Sequence, residues 1–519
     1  MEKLAKLYLI LTAILLGGMQ NHLAAEDIVA EQPNIVVILC DDLGYGDVQP
    51  LNPDSKIATP TFSNLAKQGM TFTDAHSPSA VCTPTRYGLV CGRYCWRTHM
   101  KKGVLGGYSR PLLNKDQQTI ASVMKSAGYQ TACVGKWHLG LGWQWKESEP
   151  NNINHFGIAG EPKSVDYSQP LTDTPISHGF DWSYIIPASL DMSPYVYIEN
   201  DRVTQPVEKV VEASPFPKFY RKGELAKDFS IIDSLDHLSH QAANYIEQHA
   251  GEKQPYFLYV PLPAPHKPVI PTAAYKGKSS LGPYGDFVMQ VDAAIGRIIG
   301  AVDDSGQADN TLVIVTSDNG SFMHRNDDAD FADHVTNEKV QAYRSDHHTA
   351  NGPLRGTKAD VWEGGHRVPF LVRWPAVVKP GKRCASTVCL VDLLATCADV
   401  GHATYDSKQS EDSFSLLPNL KDANHSSTRP PVVHHSAGGM FAIRQGKWKL
   451  VLGNGSGGRQ APRGKPFAEP YHLFDLSQDL AETNNVAPSH RDIRDRLVGE
   501  FERISHNDHL TNNRKSELP

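Results

Sequence analysis

The chain lacks a surplus of basic residues. Its 51 lysines and arginines stand against 57 aspartates and glutamates, for a formal net charge of -6. No broad positive field exists to hold nucleic acid or an anionic membrane surface, so an anionic ligand must be held by charges local to a site. A bilayer-spanning apolar run is also missing. The apolar stretch Leu7 to Leu16 is too short to cross comfortably. Internal repeats are absent. With 40% hydrophobic and 21% charged residues, the composition excludes a disordered chain.

The N-terminus carries a secretory signal pattern. Lys3 and Lys6 precede Leu7 to Leu16, and Leu23-Ala24-Ala25 precedes Glu26. We expect residues 1–25 to be removed, which leaves the mature chain one unit more negative. The remainder is expected to be periplasmic or extracellular (lysosomal or secreted if the source is eukaryotic), with no membrane anchor. Export permits disulfides among the eight cysteines. Cys40 and Cys133 end apolar strands and read as core thiols. Cys91/Cys95 and Cys384/Cys389 are possible pairs, and spacing alone does not settle the connectivity.

The pattern of elements predicts an α/β fold. Asn34 to Cys40 and Leu312 to Thr316 are continuous apolar runs rich in β-branched residues, as expected of buried parallel strands. Gln130 to Val134, Tyr256 to Pro261 and Val368 to Trp374 read as further strands. Helices are expected over Asp116–Ala127, Ile231–His249 and Thr387–Val400. Tyr284, Phe287, Val288, Val291, Ile295, Ile298, Ile299 and Val302 keep helical spacing and mark a core face. Strands alternating with helices imply a large, mostly parallel sheet. Residues 141–177 read as a long polar loop or lid. Around 401–430 the chain turns polar, and short hairpin-like strands and a helix near 490–504 follow. We expect a catalytic domain over 26–405 and a C-terminal subdomain over 406–519, with a small antiparallel sheet and a terminal helix.

Chemistry-bearing residues fall at the ends of these strands. Asp41-Asp42 follow the first strand and Asp318-Asn319 follow another, at the sheet edge where ligands bind in open α/β folds. Three carboxylates and one amide are hard oxygen donors, suited to calcium. Lys136 and His138 stand two apart in a strand-like segment, so both can point to one side. His266 lies in Pro263-Ala-Pro265-His266-Lys267-Pro268, where prolines restrict its backbone. Ser79 to Arg93 holds Cys82, Pro84 and Arg86 at relative positions one, three and five. Pro84 fits the first turn of a helix, which puts residue 82 at a helix N-terminus that favours an anion. Arg86 adds a fixed, planar, multi-donor charge one turn on.

Cys82-Thr-Pro84-Thr-Arg86, the block Gly128 to His138, the block Leu354 to Pro369 with Lys358, and Leu473 to Asn484 together resemble the formylglycine-dependent sulfatases. The resemblance runs from about residue 33 to about 488. It is nearest in style to arylsulfatase A, N-acetylgalactosamine-6-sulfatase and bacterial polysaccharide sulfatases. Val90-Cys91-Gly92 stands where Leu-Thr-Gly is commoner, and Thr85 replaces a usual serine. The resemblance implies an alkaline-phosphatase-like fold and a set of site residues. Cys82, Arg86, Lys136, His138, His266 and Lys358 would be catalytic. Asp41, Asp42, Cys82, Asp318 and Asn319 would hold one calcium ion. It also implies that Cys82 is converted to formylglycine by a maturing enzyme.

The activity implied is sulfate-ester hydrolysis by covalent catalysis. A hydroxyl of hydrated formylglycine attacks sulfur, cations neutralise the sulfate oxygens, His266 protonates the departing alcohol, and His138 assists release of sulfate. Two other readings exist. A phosphoester or phosphonate hydrolase of the same superfamily would handle a similar tetrahedral group, but phosphatase relatives use Ser or Thr with two zincs. A non-catalytic glycan-binding protein would keep Cys82 unmodified and would not need the proton-transfer residues. A carbohydrate sulfate is the expected substrate. The 141–177 segment, the Tyr184–Tyr197 segment with Asp191, and His347-His348 are expected specificity elements, with Arg355, His347 and His366 as spare basic groups.

Overall fold

The computed structural model describes residues 32–147, 165–215, 218–323, 348–426 and 429–506. The expected signal peptide, His347 and the middle of the 141–177 segment lie outside them. Residues Pro33–Pro519 cluster as one unit.

Strand β1 (Asn34–Asp41) is buried almost throughout and runs parallel to two partners. A run of Ile, Val and Leu with no polar alternation suits a strand covered on both faces. In chain order follow helix α1 (Pro60–Gln68), β2 (Met70–Phe72), β3 (Ala75–His76), α2 (Cys82–Cys91), α3 (Ile120–Ser126) and β4 (Gln130–Lys136). Next come β5 (Trp182–Ile186), β6 (Ile198–Glu199), β7 (Arg202–Val203), β8 (Val207–Val211), β9 (Gly223–Ala226), α4 (Ser234–Gln248), β10 (Tyr256–Pro265) and α5 (Gly282–Asp304). Strand β11 (Thr311–Ser317), α6 (Glu363–His366), β12 (Phe370–Arg373), β13 (Lys382–Cys384), β14 (Val388–Cys389) and α7 (Leu393–Val400) complete the larger part.

The main sheet has ten strands in the order β13-β2-β12-β11-β1-β10-β4-β5-β6-β7. Its centre, β11-β1-β10-β4-β5, is parallel, whereas β12 and β6 join antiparallel. Cys40 pairs with Ser317, so Asp41 and Asp318 leave neighbouring strands at the same edge. Helices α4 and α5 cover one face, and the spaced apolar residues of α5 are its buried side. Beyond residue 416, α8 (Leu417–Lys421) precedes a four-stranded antiparallel sheet. Its strands are β15 (Val432–His435), β16 (Phe441–Gln445), β17 (Trp448–Leu452) and β18 (His472–Asp475). Helix α9 (Arg491–His506) packs Leu497, Phe501 and Ile504 onto this sheet's apolar cluster.

Several local expectations shift. The helix expected from Asp116 starts at Ile120, because Thr119 and Ser122 form a reciprocal capping box. The helix expected over 387–400 is divided between strand β14 and α7. All eight cysteines are buried free thiols, so neither Cys91/Cys95 nor Cys384/Cys389 is bridged. The described flanks of the 141–177 segment are packed, with Trp143, Val165 and Leu171 buried. Among the described residues no helix is long and apolar enough to cross a membrane.

Candidate active site

The site is built where β1, β4, β10 and β11 end. Val81 is extended and the chain enters α2 at Cys82, with Pro84 in the first turn, as its fixed φ allows. Helix α2 ends at Gly92 in the left-handed conformation, with Gly92 N–H donating to the Gly88 carbonyl at 2.9 Å. The Cys82 Sγ lies 3.4 Å from Lys358 Nζ and 3.7 Å from Asp41 Oδ1. Burial pushes this thiol up to about 12 despite Lys136 and Lys358 nearby, which disfavours the thiolate.

Three cations and a histidine are aimed at the same spot or at its carboxylates. Arg86 is fully buried and donates from Nε and one Nη to Asp318 Oδ2 at 3.0 and 2.7 Å, and from the other Nη to the Lys136 carbonyl at 2.9 Å. Lys136 Nζ lies 2.6 Å from Asp41 Oδ2. Lys358 Nζ donates to both Asp42 oxygens, at 2.6 and 2.9 Å. Lys358 is placed by its own N–H to the Ser321 carbonyl, 2.9 Å away. His266 Nε2 sits 3.7 Å from Asp42 Oδ2, and its Nδ1 donates to the Lys267 carbonyl at 2.6 Å.

Lys136 and His138 reach the site differently from simple strand alternation. Gly135 has φ +137, and a Cβ there would meet the Pro261 carbonyl oxygen at 2.1 Å, so only glycine lets β4 lie against β10 here. Lys136 ends the strand, and His138 follows in the left-handed region with φ 58. His138 is buried with Nε2 2.7 Å from the Leu105 carbonyl, and its Nδ1 has no hydrogen-bond partner. Burial, then Lys136, holds the ring well below its ordinary value. Burial, then Lys358, does the same to His266.

Burial acts against the charge of each carboxylate oxygen donor. Burial, then Asp41, raises Asp318 to about 7, and burial raises Asp42. Asp41 is also pushed up by burial, but Lys136, His266 and Arg86 outweigh this and hold it well below the usual carboxylate range. Asn319 Nδ2 donates to Asp42 Oδ1 at 2.7 Å, while its buried Oδ1 has no hydrogen-bond partner. An orphaned amide oxygen beside three buried carboxylates fits a hard cation. Asp41, Asp42, Cys82 and His266 also present ligand atoms within 4.8 Å of one another.

His76, Glu363 and His366 form a second close group. Here the hydrogen bonds run Lys449 to His366 (3.1 Å), His366 to His76 (3.1 Å) and His76 to Asp74 (3.0 Å), which satisfies each ring without an ion. Charges also balance, since Asp74, Glu363 and Glu482 face Arg367, Arg444 and Lys449. His366 is therefore part of the joint under the C-terminal sheet rather than a spare basic group of the site. Arg355 stacks on Trp362 and bonds Gln460 and the Glu482 carbonyl. His348 is buried and bound to Asp47 at 3.0 Å. Asp191, in contrast, does border the site, 3.9 Å from His266.

Buried cations around a helix N-terminus, beside a cluster of oxygen donors, suit the binding of a tetrahedral oxyanion. Residues 33–403 match the family model described as Sulfatase. The chain is 32% identical to the N-acetylgalactosamine-6-O-sulfatase of Bacteroides thetaiotaomicron, over 89% of this chain and 91% of that one. It is 32% identical to human arylsulfatase A, over 89% and 85%. A solved sulfatase structure, titled for the metabolism of multiple glycosaminoglycans by Bacteroides thetaiotaomicron, superposes with TM-score 0.78 at 29% identity, covering 92% of this chain and 100% of that one. The chain belongs to the sulfatase family, with its alkaline-phosphatase-like fold, and is a sulfuric ester hydrolase.

Proposed function

We propose that the protein removes sulfate from a sulfated carbohydrate, with a formylglycine derived from Cys82 and one calcium ion. The observation that carries this reading is that Lys358 and Asp41 flank residue 82 at the start of α2, with Lys136 and Arg86 paired to the adjoining Asp41 and Asp318. Asp41, Asp42, Asp318 and Asn319 would hold the calcium, with residue 82 beside it. Bound there, the ion supplies positive charge to the sulfate oxygens. Hydrated formylglycine supplies one hydroxyl to attack sulfur and a second through which sulfate is expelled. A serine has no second hydroxyl, and a thiol adduct has no internal route of release.

Arg86, Lys136 and Lys358 neutralise the sulfate oxygens as charge develops. His266, 3.7 Å from Asp42 in the same cluster, would donate a proton to the leaving alcohol. His138, with Nδ1 unpartnered, takes the proton of the second hydroxyl. The relative named for N-acetylgalactosamine 6-O-sulfate supports a carbohydrate substrate. We assign residues 26–405 to catalysis and 406–519 to a C-terminal subdomain. Residues 1–25 are assigned to export, and a formylglycine-generating or sulfatase-maturing enzyme is the partner in biogenesis. A desulfation screen on sugars sulfated at defined positions, beside an aryl sulfate and a phosphodiester, tests the reading. Phosphodiester cleavage without sulfate release would overturn it.

A further inference from the structure

The chemistry above leaves one buried carboxylate at the site unused. Asp191 is 1% exposed. Its backbone carbonyl accepts from the Arg221 N–H and from an Arg221 Nη, both at 3.1 Å, and its Oδ2 accepts from the same Nη at 2.6 Å. One guanidinium thus fixes both the main chain and one carboxylate oxygen. Phe219 lies under this guanidinium, with the Arg221 carbon 5.3 Å and Lys267 Nζ 4.6 Å from the ring centre. The other oxygen, Asp191 Oδ1, is buried and has no hydrogen-bond partner.

A rigid buried acceptor with no donor is costly unless a ligand completes it. His266 is not that donor. Its Nδ1 is 3.9 Å from Oδ1, too far for a hydrogen bond, and is already bound to the Lys267 carbonyl. Nor can a sulfate monoester's anionic oxygens supply a hydrogen. Because Asp191 stands beside the histidine that meets the leaving oxygen, its missing donor belongs to the leaving group. We propose that Asp191 Oδ1 accepts a hydrogen bond from a hydroxyl of the leaving-group sugar, near the sulfated carbon, with Arg221 as its positioning residue. This rests on the carbohydrate-sulfate reading of the same site and gives it a selection rule: polyol monosulfates are favoured over aryl sulfates.

The test compares kcat/KM for wild type, Asp191→Ala and Asp191→Asn on a monosulfated hexosamine, on its analogues with single neighbouring hydroxyls replaced by hydrogen, and on 4-nitrophenyl sulfate. One deoxygenation is expected to cost wild type on the order of 100-fold and to cost Asp191→Ala less than about threefold, since the partner is already gone. The sugar-to-aryl ratio of kcat/KM falls in Asp191→Ala. It falls in Arg221→Ala as well and is partly restored in Arg221→Lys. Equal losses on sugar and aryl substrates, or deoxygenation effects that are the same in wild type and variant, would overturn the role of Asp191. The wild-type deoxy series decides the matter even if a variant misfolds. A wild type that cleaves the aryl sulfate but no sugar sulfate brings down the carbohydrate reading itself.

Discussion

Arg86 grips a single oxygen of Asp318 with two N–H groups, across 232 residues of sequence. The contact joins α2 to the end of β11 inside a region closed to water. Removing one partner of such a pair leaves the other charge buried, which costs about 3–5 kcal/mol. Arg86→Ala is expected to lose about that much in urea unfolding and to lose activity. Arg86→Lys should not restore either, because one ammonium cannot bond both Asp318 and the Lys136 carbonyl in this geometry.

Cys82 tests the covalent chemistry. Protein made with a maturing enzyme should carry an aldehyde at this residue by peptide mass spectrometry, and protein made without it should be nearly inactive. Burial disfavours the thiolate that an unmodified Cys82 would need as a nucleophile. Full activity from protein containing only the free thiol would refute the formylglycine mechanism.

His266 should matter most when the leaving group is poor. On a sugar sulfate, His266→Ala is expected to lower kcat by about 10²–10⁴-fold, the usual range for a general acid. An aryl sulfate, whose phenolate departs without help, should lose far less. A leaving-group series that keeps the same slope in both enzymes would remove His266 from proton donation.

Calcium should stabilise the fold. Thermal unfolding should shift upward as calcium is added, by about 2.7 kcal/mol at 100 times Kd. Asn319→Leu, which deletes the orphaned oxygen, should weaken the shift. A larger shift with zinc than with calcium would contradict the oxygen-donor assignment.

The joint beneath the C-terminal sheet predicts acid sensitivity. His366 and His434 are held well below their ordinary value, by burial first and then by His434 and Lys449 respectively. Their folded pKa values are lower than in the unfolded chain. Stability is therefore complete above about pH 6.5 and falls as pH drops below it, by up to about 1.4 kcal/mol per unit per ring. Neither ring nitrogen of His434 has a hydrogen-bond partner, so His434→Leu should flatten the decline in Tm between pH 7 and 5. An unchanged slope would show that other groups control it.

The sequence revealed the site better than its surroundings. Asp41, Asp42, Asp318 and Asn319 were legible because unbroken apolar strands force polar residues to their ends. Cys82, Pro84 and Arg86 lie within one helical turn, so spacing alone relates them. The hydrogen-bond chain from Lys449 through His366 and His76 to Asp74 was not legible. It depends on how a distant antiparallel sheet seats on β3 and α6, which no local period encodes. Asp191 could be flagged only as part of a segment, because its significance comes from Arg221 thirty residues later. The cysteine spacings suggested bridges, but each pair is buried as thiols.

Strand β15 also constrains when the protein is made ready. His435 forms a bridge with Ser79, and its carbonyl accepts from the Ala80 N–H at 2.9 Å and the Ser79 hydroxyl at 3.2 Å. These contacts clamp the residues just before Cys82 with a segment more than 350 positions later. In the finished molecule the cysteine is 2% exposed and another enzyme's active site could not reach it. On the formylglycine reading, an enzyme that oxidises Cys82 would work on a chain whose last sixth, from β15 onward, has not yet docked. On that reading the closing of β15 sets a deadline, after which an unconverted cysteine would be sealed in and the molecule would stay inert.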